Sequence, residues 1–254
     1  MQKNDTYRAA MFHYEKKYII TSEQYQGLKA SFGDRMAPDK YPHSQITSLY
    51  FDSPKNRLIS HSLENLEYKE KLRLRSYVIP DDETLVFVEL KRKYRGAVYK
   101  RRRRMTLAQA EDYLLRDAVP PPSSRSNSNI TNEINYFLSK NPDLRPAMYV
   151  YYDRESWGAT QDQFYLRLTI DKNVRWRNTD LDIRNGNHGE PYLNPDLYIL
   201  EIKSPIVVPL WLAKSLSEQG IYESSVSKYA SSFHSSMADM KSSLATKYSI
   251  PQII

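Results

Sequence analysis

Basic side chains recur at every second position in several stretches of this 254-residue chain. Lys71, Arg73 and Arg75 alternate with Leu72 and Leu74, and Glu89, Lys91 and Lys93 fall opposite Val86, Val88 and Leu90. Lys100, Arg102 and Arg104 repeat the spacing after a YRGAV turn. Further along, Arg167 and Asp171 alternate with Leu166, Leu168 and Ile170, and Glu201 and Lys203 with Leu200 and Ile202. His13, Glu15 and Lys17 share one parity near the start, as do Val150, Tyr152 and Arg154. In extended backbone successive side chains point to opposite faces, so each stretch is a strand with one apolar and one ionic face. Cations outnumber carboxylates on the ionic faces, which suits an anion whose phosphate oxygens accept hydrogen bonds from Lys and Arg. The interspersed Glu15, Glu89, Asp171 and Glu201 match a hard divalent cation held between carboxylate and phosphate oxygens. Glu89 and Asp171 serve equally well as ion-pair partners of neighbouring arginines, whereas Glu201 is read as a metal ligand.

Positioning such faces takes a sheet. Strand-like alternation covers Phe12 to Ile20, Ile46 to Asp52, Glu70 to Val78, Leu85 to Lys93, Val98 to Met105, Ala147 to Arg154, Phe164 to Asp171 and Leu197 to Lys203, eight strands in all. Thr21 with Gln24 and Thr106 with Gln109 read as capping boxes opening helices. Pro120 to Pro122 and SSRSNSN form a polar connector ahead of a short helix, NEINYFLSK. Asn173 to Tyr192 reads as an irregular excursion, and the tail from Pro209 as helical, with LWLAKSLSE followed by a Ser-rich stretch.

Composition narrows the class. The formal net charge of +7 favours an anionic partner. The absence of cysteine removes disulfides, thiolate metal sites and cysteine nucleophiles. Neither GxxxxGK[ST] nor GxGxxG occurs. The N-terminal residues lack the apolar core of a signal peptide, so a soluble, cytoplasmic protein is expected, with no transmembrane anchor. His43, His61, His188 and His234 lack ligand spacing, and Trp157, Trp176 and Trp211 read as packing residues. Alternate members of Arg101 to Arg104 face opposite ways in a strand, which discounts the run as a nucleic-acid patch.

Two architectures produce strands of this kind: a sandwich whose charges face water, or a sheet closed with its charges inward and helices covering its apolar outside. The amphipathic helices need an apolar surface to cover, which favours closure. A lumen lined with charge must hold water, anions and metal ions, because unpaired buried ions lose several kcal/mol of solvation each. The expectation is one α+β domain over residues 1–254, with its core at about 12–230. It is a closed eight-stranded antiparallel β tunnel with a charged lumen, flanked by helices.

The motifs HYEKKY, SLYFDS, KLRLRSY, VFVELKRKYRGAVYKRR, YYDRES, YLRLTID, ILEIKS and SVSKYA occur in this order between Phe12 and Ala230. Together they resemble the VTC-type polyphosphate polymerase domain, a branch of the triphosphate tunnel metalloenzymes and the CYTH-like superfamily. The resemblance implies that Lys17, Arg73, Arg75, Lys91, Lys100, Arg154, Arg167 and Lys228 hold phosphates, with Ser227 and Lys228 on a C-terminal helix near one tunnel mouth. It implies Glu201 as ligand to Mn²⁺ or Mg²⁺; Glu15 joins it as a candidate on the first strand. There His13 stands where the family's ExExK motif has its first Glu, which puts metal binding at that strand in question. Lys93, Arg102 and Lys203 are supporting lumen cations by alternation.

The implied reaction transfers the γ-phosphoryl group of ATP to a growing inorganic polyphosphate chain. Cations and positioning suffice for such a transfer, so no protein nucleophile is required. Two readings stay open beside it: an inorganic or nucleoside triphosphatase using water as acceptor, and a non-catalytic binder of polyphosphate or RNA. Tyr14, Tyr18, Leu49 and Phe51 alternate as core positions rather than forming an exposed stacking row, so no nucleic-acid partner is expected. The expected partners are ATP and inorganic polyphosphate or triphosphate, with a membrane partner left open.

Overall fold

A computed structural model describes residues 14–64, 67–95, 97–116, 118, 120, 125–160, 165–204, 207–224, 226–230 and 232–233. His13, Phe164, Gly96 and His234, and most of the Ser-rich tail, lie outside the described residues. The strands are β1 (Tyr14–Thr21), β2 (Met36–Asp52), β3 (Tyr68–Ser76), β4 (Leu85–Tyr94), β5 (Ala97–Thr106), β6 (Arg145–Ala159), β7 (Arg167–Arg177), β8 (Glu190–Pro191) and β9 (Leu197–Ser204). The helices are α1 (Ser22–Ala30), α2 (Arg57–Leu63), α3 (Leu107–Leu115), α4 (Arg125–Lys140) and α5 (Leu210–Glu218).

Hydrogen-bonded neighbours follow the order β1-β9-β7-β6-β2-β3-β4-β5, with β8 paired to β7. The sheet is mostly antiparallel and has nine strands rather than eight, the extra one being the two-residue β8. Among the described residues it is not closed by hydrogen bonds: β1 and β5 end the order. No described helix is long and apolar enough to cross a membrane.

The chain forms two compact units. The first draws on the described parts of Met1–Ile46, Tyr152–Val174 and Leu193–Val226. Here β9 pairs with β1 on one side and β7 on the other. Their apolar faces, Tyr18 and Ile20, Leu168 and Ile170, Leu200 and Ile202, pack with Tyr25 and Leu28 of α1 and Leu212 and Leu216 of α5. Thr21 and Gln24 make the expected reciprocal capping box at the start of α1. Trp157 and Trp211 pack against this core, as read from the sequence.

The second unit comprises Thr47–Tyr151, Arg175–Tyr192 and the described residues from Ser227. Val86, Val88 and Leu90 of β4, all fully buried, join Leu72, Leu74, Leu49 and Phe51 under α3 and α4. Thr106 and Gln109 cap α3 as expected. The Ser/Asn tract differs from the expected connector, because α4 already starts at Arg125. On the helix side of β5, Arg101 meets Glu133 at 2.7 Å and Arg103 bonds Thr131, whereas Arg102 faces away.

Three further differences have physical causes. The strand expected from Ile46 begins at Met36, ten residues earlier, because Pro38 and Pro42 interrupt the alternation without breaking the strand. The unanticipated α2 follows Asn56 in the left-handed region (φ 55°). It is capped by the buried Asp52, which accepts from Leu58 N and Ile59 N at 2.9 Å. The excursion after Asn173 is organised, since β7 continues to Arg177. That guanidinium lies 3.4 Å over the Tyr149 ring and donates to the carbonyls of Asp180, Asp182, Gly186 and His188.

Candidate functional site

Two charged clusters form, one within each unit. In the second unit, strand register stacks the ionic residues into rows: Tyr50–Arg73–Glu89–Arg102 across β2 to β5, and Lys71–Lys91–Lys100 across β3 to β5. Lys69 and Lys93 continue the pattern, and Ser48 lies opposite Arg75. Directly opposed residues share a face with their side chains close together.

Glu89, 1% exposed, is the hub of this face. Arg73 Nη2 lies 2.6 Å from its Oε2 and Arg75 Nε 3.9 Å, while Arg102 Nε and Lys100 Nζ reach Oε1 at 2.6 and 3.1 Å. Burial opposes the ionised form, yet Arg73, Arg75, Lys100 and Arg102 overcome it and hold the carboxyl well below the usual carboxylate range. Lys100, with a side chain 42% exposed, is pushed down to about 7 by desolvation, with Arg102, Arg73 and Arg75 adding to it against the pull of Glu89. Arg73 also donates to Tyr50 Oη at 3.1 Å, and Arg102 to Tyr77 Oη at 2.9 Å. Burial would raise Tyr50, but Arg73, Arg75 and Lys71 outweigh it and bring the phenol down to about 8.

The segment carrying Ser227 and Lys228 is held against this cluster. Tyr229 stacks on Tyr50 (centroids 4.5 Å apart, planes 14°) and donates to Asp52 Oδ2 at 2.8 Å; Lys71 Nζ donates to Ser227 Oγ at 3.1 Å.

In the first unit the rows are Lys17–Glu201–Thr169 and Glu15–Lys203–Arg167, across β1, β9 and β7. Glu201 receives Lys203 Nζ on Oε1 at 2.8 Å and Lys17 Nζ on Oε2 at 3.7 Å, and Lys17 also reaches Glu15 at 3.1 Å. Burial works against the Glu201 carboxylate, but Lys203, Lys17 and Arg154 keep it well below its usual range. Arg154 grips the fully buried Asp171 with two hydrogen bonds, at 2.6 and 2.8 Å. Arg167 Nε lies 2.7 Å from Asp39 Oδ2 without the alignment of a hydrogen bond.

The predicted residues therefore divide between the clusters. Arg73, Arg75, Lys91, Lys93, Lys100, Arg102, Ser227 and Lys228 fall in the second unit, and Glu15, Lys17, Arg154, Arg167, Glu201 and Lys203 in the first. Glu89 and Asp171 sit in ion pairs with arginines. No group of three carboxylate or imidazole side chains with metal-binding geometry occurs among the described residues.

The sequence profile of the VTC domain matches residues 12–237. The chain belongs to the VTC domain family. No curated protein matches it. Among solved structures, a provisionally named adenylate cyclase of Bacillus halodurans is 12% identical with a TM-score of 0.50, covering 85% of this chain and 94% of its own. A protein of Pyrococcus horikoshii OT3 is 11% identical (TM-score 0.45, covering 88% of this chain and 99% of its own). A Hippeastrum protein, provisionally named an adenylyl cyclase and described as having a dominant triphosphatase activity, is 15% identical (TM-score 0.45; 86% and 94%).

Several polar residues of this VTC domain's clusters escaped the sequence reading. Tyr50 was legible, since Leu49 and Phe51 as core residues put it on the ionic face. Asp39, which meets Arg167, carried no local signal, because its role depends on β2 extending back through two prolines. Tyr77 lies just past β3, where alternation ends.

Proposed function

We propose that this protein is a polyphosphate polymerase that transfers the γ-phosphoryl group of ATP to the end of an inorganic polyphosphate chain and releases ADP. The observation that carries the reading is the row Lys71–Lys91–Lys100, three lysines abreast on neighbouring strands. Like charges directly opposed across strands destabilise a sheet. A polyanion laid along that row relieves the repulsion, and triphosphate chains are the ligands implied by the VTC family resemblance.

In this reading Arg73, Arg75, Lys91, Lys100 and Arg102 grip phosphate oxygens beside Glu89, which keeps the guanidinium groups in fixed orientations without supplying a nucleophile. Ser227 and Lys228 contribute from the segment anchored by Tyr229. Lys17, Arg154, Arg167 and Lys203 offer a second set of donors. Pre-positioned cations of this kind stabilise the loose, charge-spread transition state of phosphoryl transfer without reorganising. The closed tunnel expected of the family is part of this proposal.

Glu15 and Glu201 are the carboxylates that fit Mg²⁺ or Mn²⁺, provided that phosphate oxygens and water complete the shell, as in many phosphate-bound sites. The ion would supply charge neutralisation on the phosphate oxygens. Both carboxylates contact Lys17, and Glu201 also receives Lys203, so metal binding requires these lysines to turn toward phosphate.

Incubating the protein with ATP and Mn²⁺ and staining the products for polyphosphate on a gel tests the proposal. Long chains are expected. Orthophosphate release without chains identifies a triphosphatase, and binding without turnover a polyphosphate-binding protein.

A further inference from the structure

On the ionic face of the first unit one buried group is unaccounted for. Thr169 is 1% exposed, and its Oγ1 has no hydrogen-bond partner among the described residues. Strand register places it opposite Glu201, which lies opposite Lys17, so the three side chains share a face. Two residues back on the same face of β7 lies Arg167, whose Nε is 2.7 Å from Asp39 Oδ2 without the alignment of a hydrogen bond. Folded proteins pair nearly all buried polar groups, and a valine would fill the Thr169 position with no hydroxyl to satisfy.

The identity of the missing partner follows from what surrounds this hydroxyl. A threonine hydroxyl donates readily. The nearest carboxylate in the register, Glu201, is engaged on both oxygens, by Lys203 and Lys17. What Thr169 lacks is a partner from outside the chain, and Lys17 and Lys203, which share Glu201 beside it, together with Arg167 on the same face, favour an anion.

We infer that Thr169 is a phosphate-binding residue whose hydroxyl donates to an oxygen of a bound triphosphate or polyphosphate, beside Arg167. The inference rests on the triphosphate reading of the site and extends it to an uncharged donor on β7. A hydroxyl there discriminates by geometry rather than charge, being directional where the lysines are not.

Calorimetric titration of the full chain with inorganic triphosphate at constant Mg²⁺ tests it with the wild type, Thr169→Val and Thr169→Ser. Thr169→Val should bind about tenfold more weakly or worse, as expected for loss of a hydrogen bond to a charged group, and Thr169→Ser within about twofold of wild type. The melting temperature of unliganded Thr169→Val should equal or exceed that of the wild type, because an unsatisfied hydroxyl has been removed. Wild-type affinity in Thr169→Val overturns the inference while leaving the triphosphate reading intact. A lowered melting temperature in unliganded Thr169→Val, restored in Thr169→Ser, also overturns it, since the hydroxyl then serves the fold through an ordered water. A wild-type protein that does not bind triphosphate takes down both readings together.

Discussion

Tyr229 donates its hydroxyl hydrogen to Asp52 Oδ2 at 2.8 Å, tying the segment after Ser227 to the carboxylate that caps α2. Burial first, and then the Asp52 charge, raise the Tyr229 phenol, so it keeps its proton and remains a donor. Tyr229→Phe preserves the stacking on Tyr50 but leaves a buried carboxylate short of one donor. It should lose about 1.5–3 kcal/mol, the range for hydrogen bonds to charged groups, read as a lower urea midpoint at unchanged slope. In turnover assays the same variant should weaken substrate binding, because Ser227 and Lys228 lose their anchor.

Glu89 is the only carboxylate at the meeting point of Arg73, Arg75, Lys100 and Arg102 among the described residues. Glu89→Gln leaves these cations uncompensated and should destabilise the free protein by about 3–5 kcal/mol, as for breaking a buried pair. Inorganic triphosphate should raise the melting temperature of the variant by more than that of the wild type, since the anion replaces the lost charge.

The same carboxylate, with Glu201, sets the acid limit. Both are held below the usual range, so their contribution to stability is complete above the unfolded value of about 4.3 and is lost as pH falls below it. Acid titration followed by circular dichroism should show unfolding below about pH 4.3 that is shallower in Glu89→Gln.

On the alkaline side, stability and anion binding should move in opposite directions. Lys100 titrates near 7 and Tyr50 near 8, both below their unfolded values of about 10, so the unfolded chain binds more protons between these pH values. Stability attributable to these groups therefore rises from about pH 7 to 10, while each lost proton removes positive charge from the face and weakens phosphate binding. Triphosphate affinity should fall across pH 7 to 9 at constant ionic strength, and Tyr50→Phe should flatten the upper part of that fall.

Arg167 is one-third exposed, with only Asp39 as a close charge partner among the described residues, so Arg167→Ala should fold normally. Its turnover should drop by about 100-fold or more, the scale of losing one pre-positioned donor to a transition state. Unaltered turnover would remove Arg167 from the site. Arg75 is a poorer choice for this test, because it is buried beside Glu89 and its loss also disturbs the fold.

Alternation and capping were local and therefore legible. Val86, Val88 and Leu90 are buried opposite Glu89 and Lys91, and both capping boxes formed, because each pattern depends on residues at most four apart. The family motifs too were readable as strings. Less legible were elements held by distant partners: α2, capped by Asp52, and the excursion gathered around Arg177 and Tyr149. Gly189 belongs to the latter group. Its φ of 142° and its approach to the Trp176 carbonyl, 2.5 Å from where a Cβ would sit, exclude a side chain there.

By itself the sequence determined which side chains share a face, since strand periodicity settles that residue by residue. Tertiary structure alone decided which of those faces became neighbours. Register between strands brought Arg73, Glu89 and Arg102 into one row, and Lys17, Glu201 and Thr169 into another. Pairing is a choice among segments far apart in the chain, settled by the burial of whole apolar faces rather than by any local spacing. That is why the hydroxyl of Thr169 passed unnoticed among the leucines of YLRLTID until β9 lay beside it.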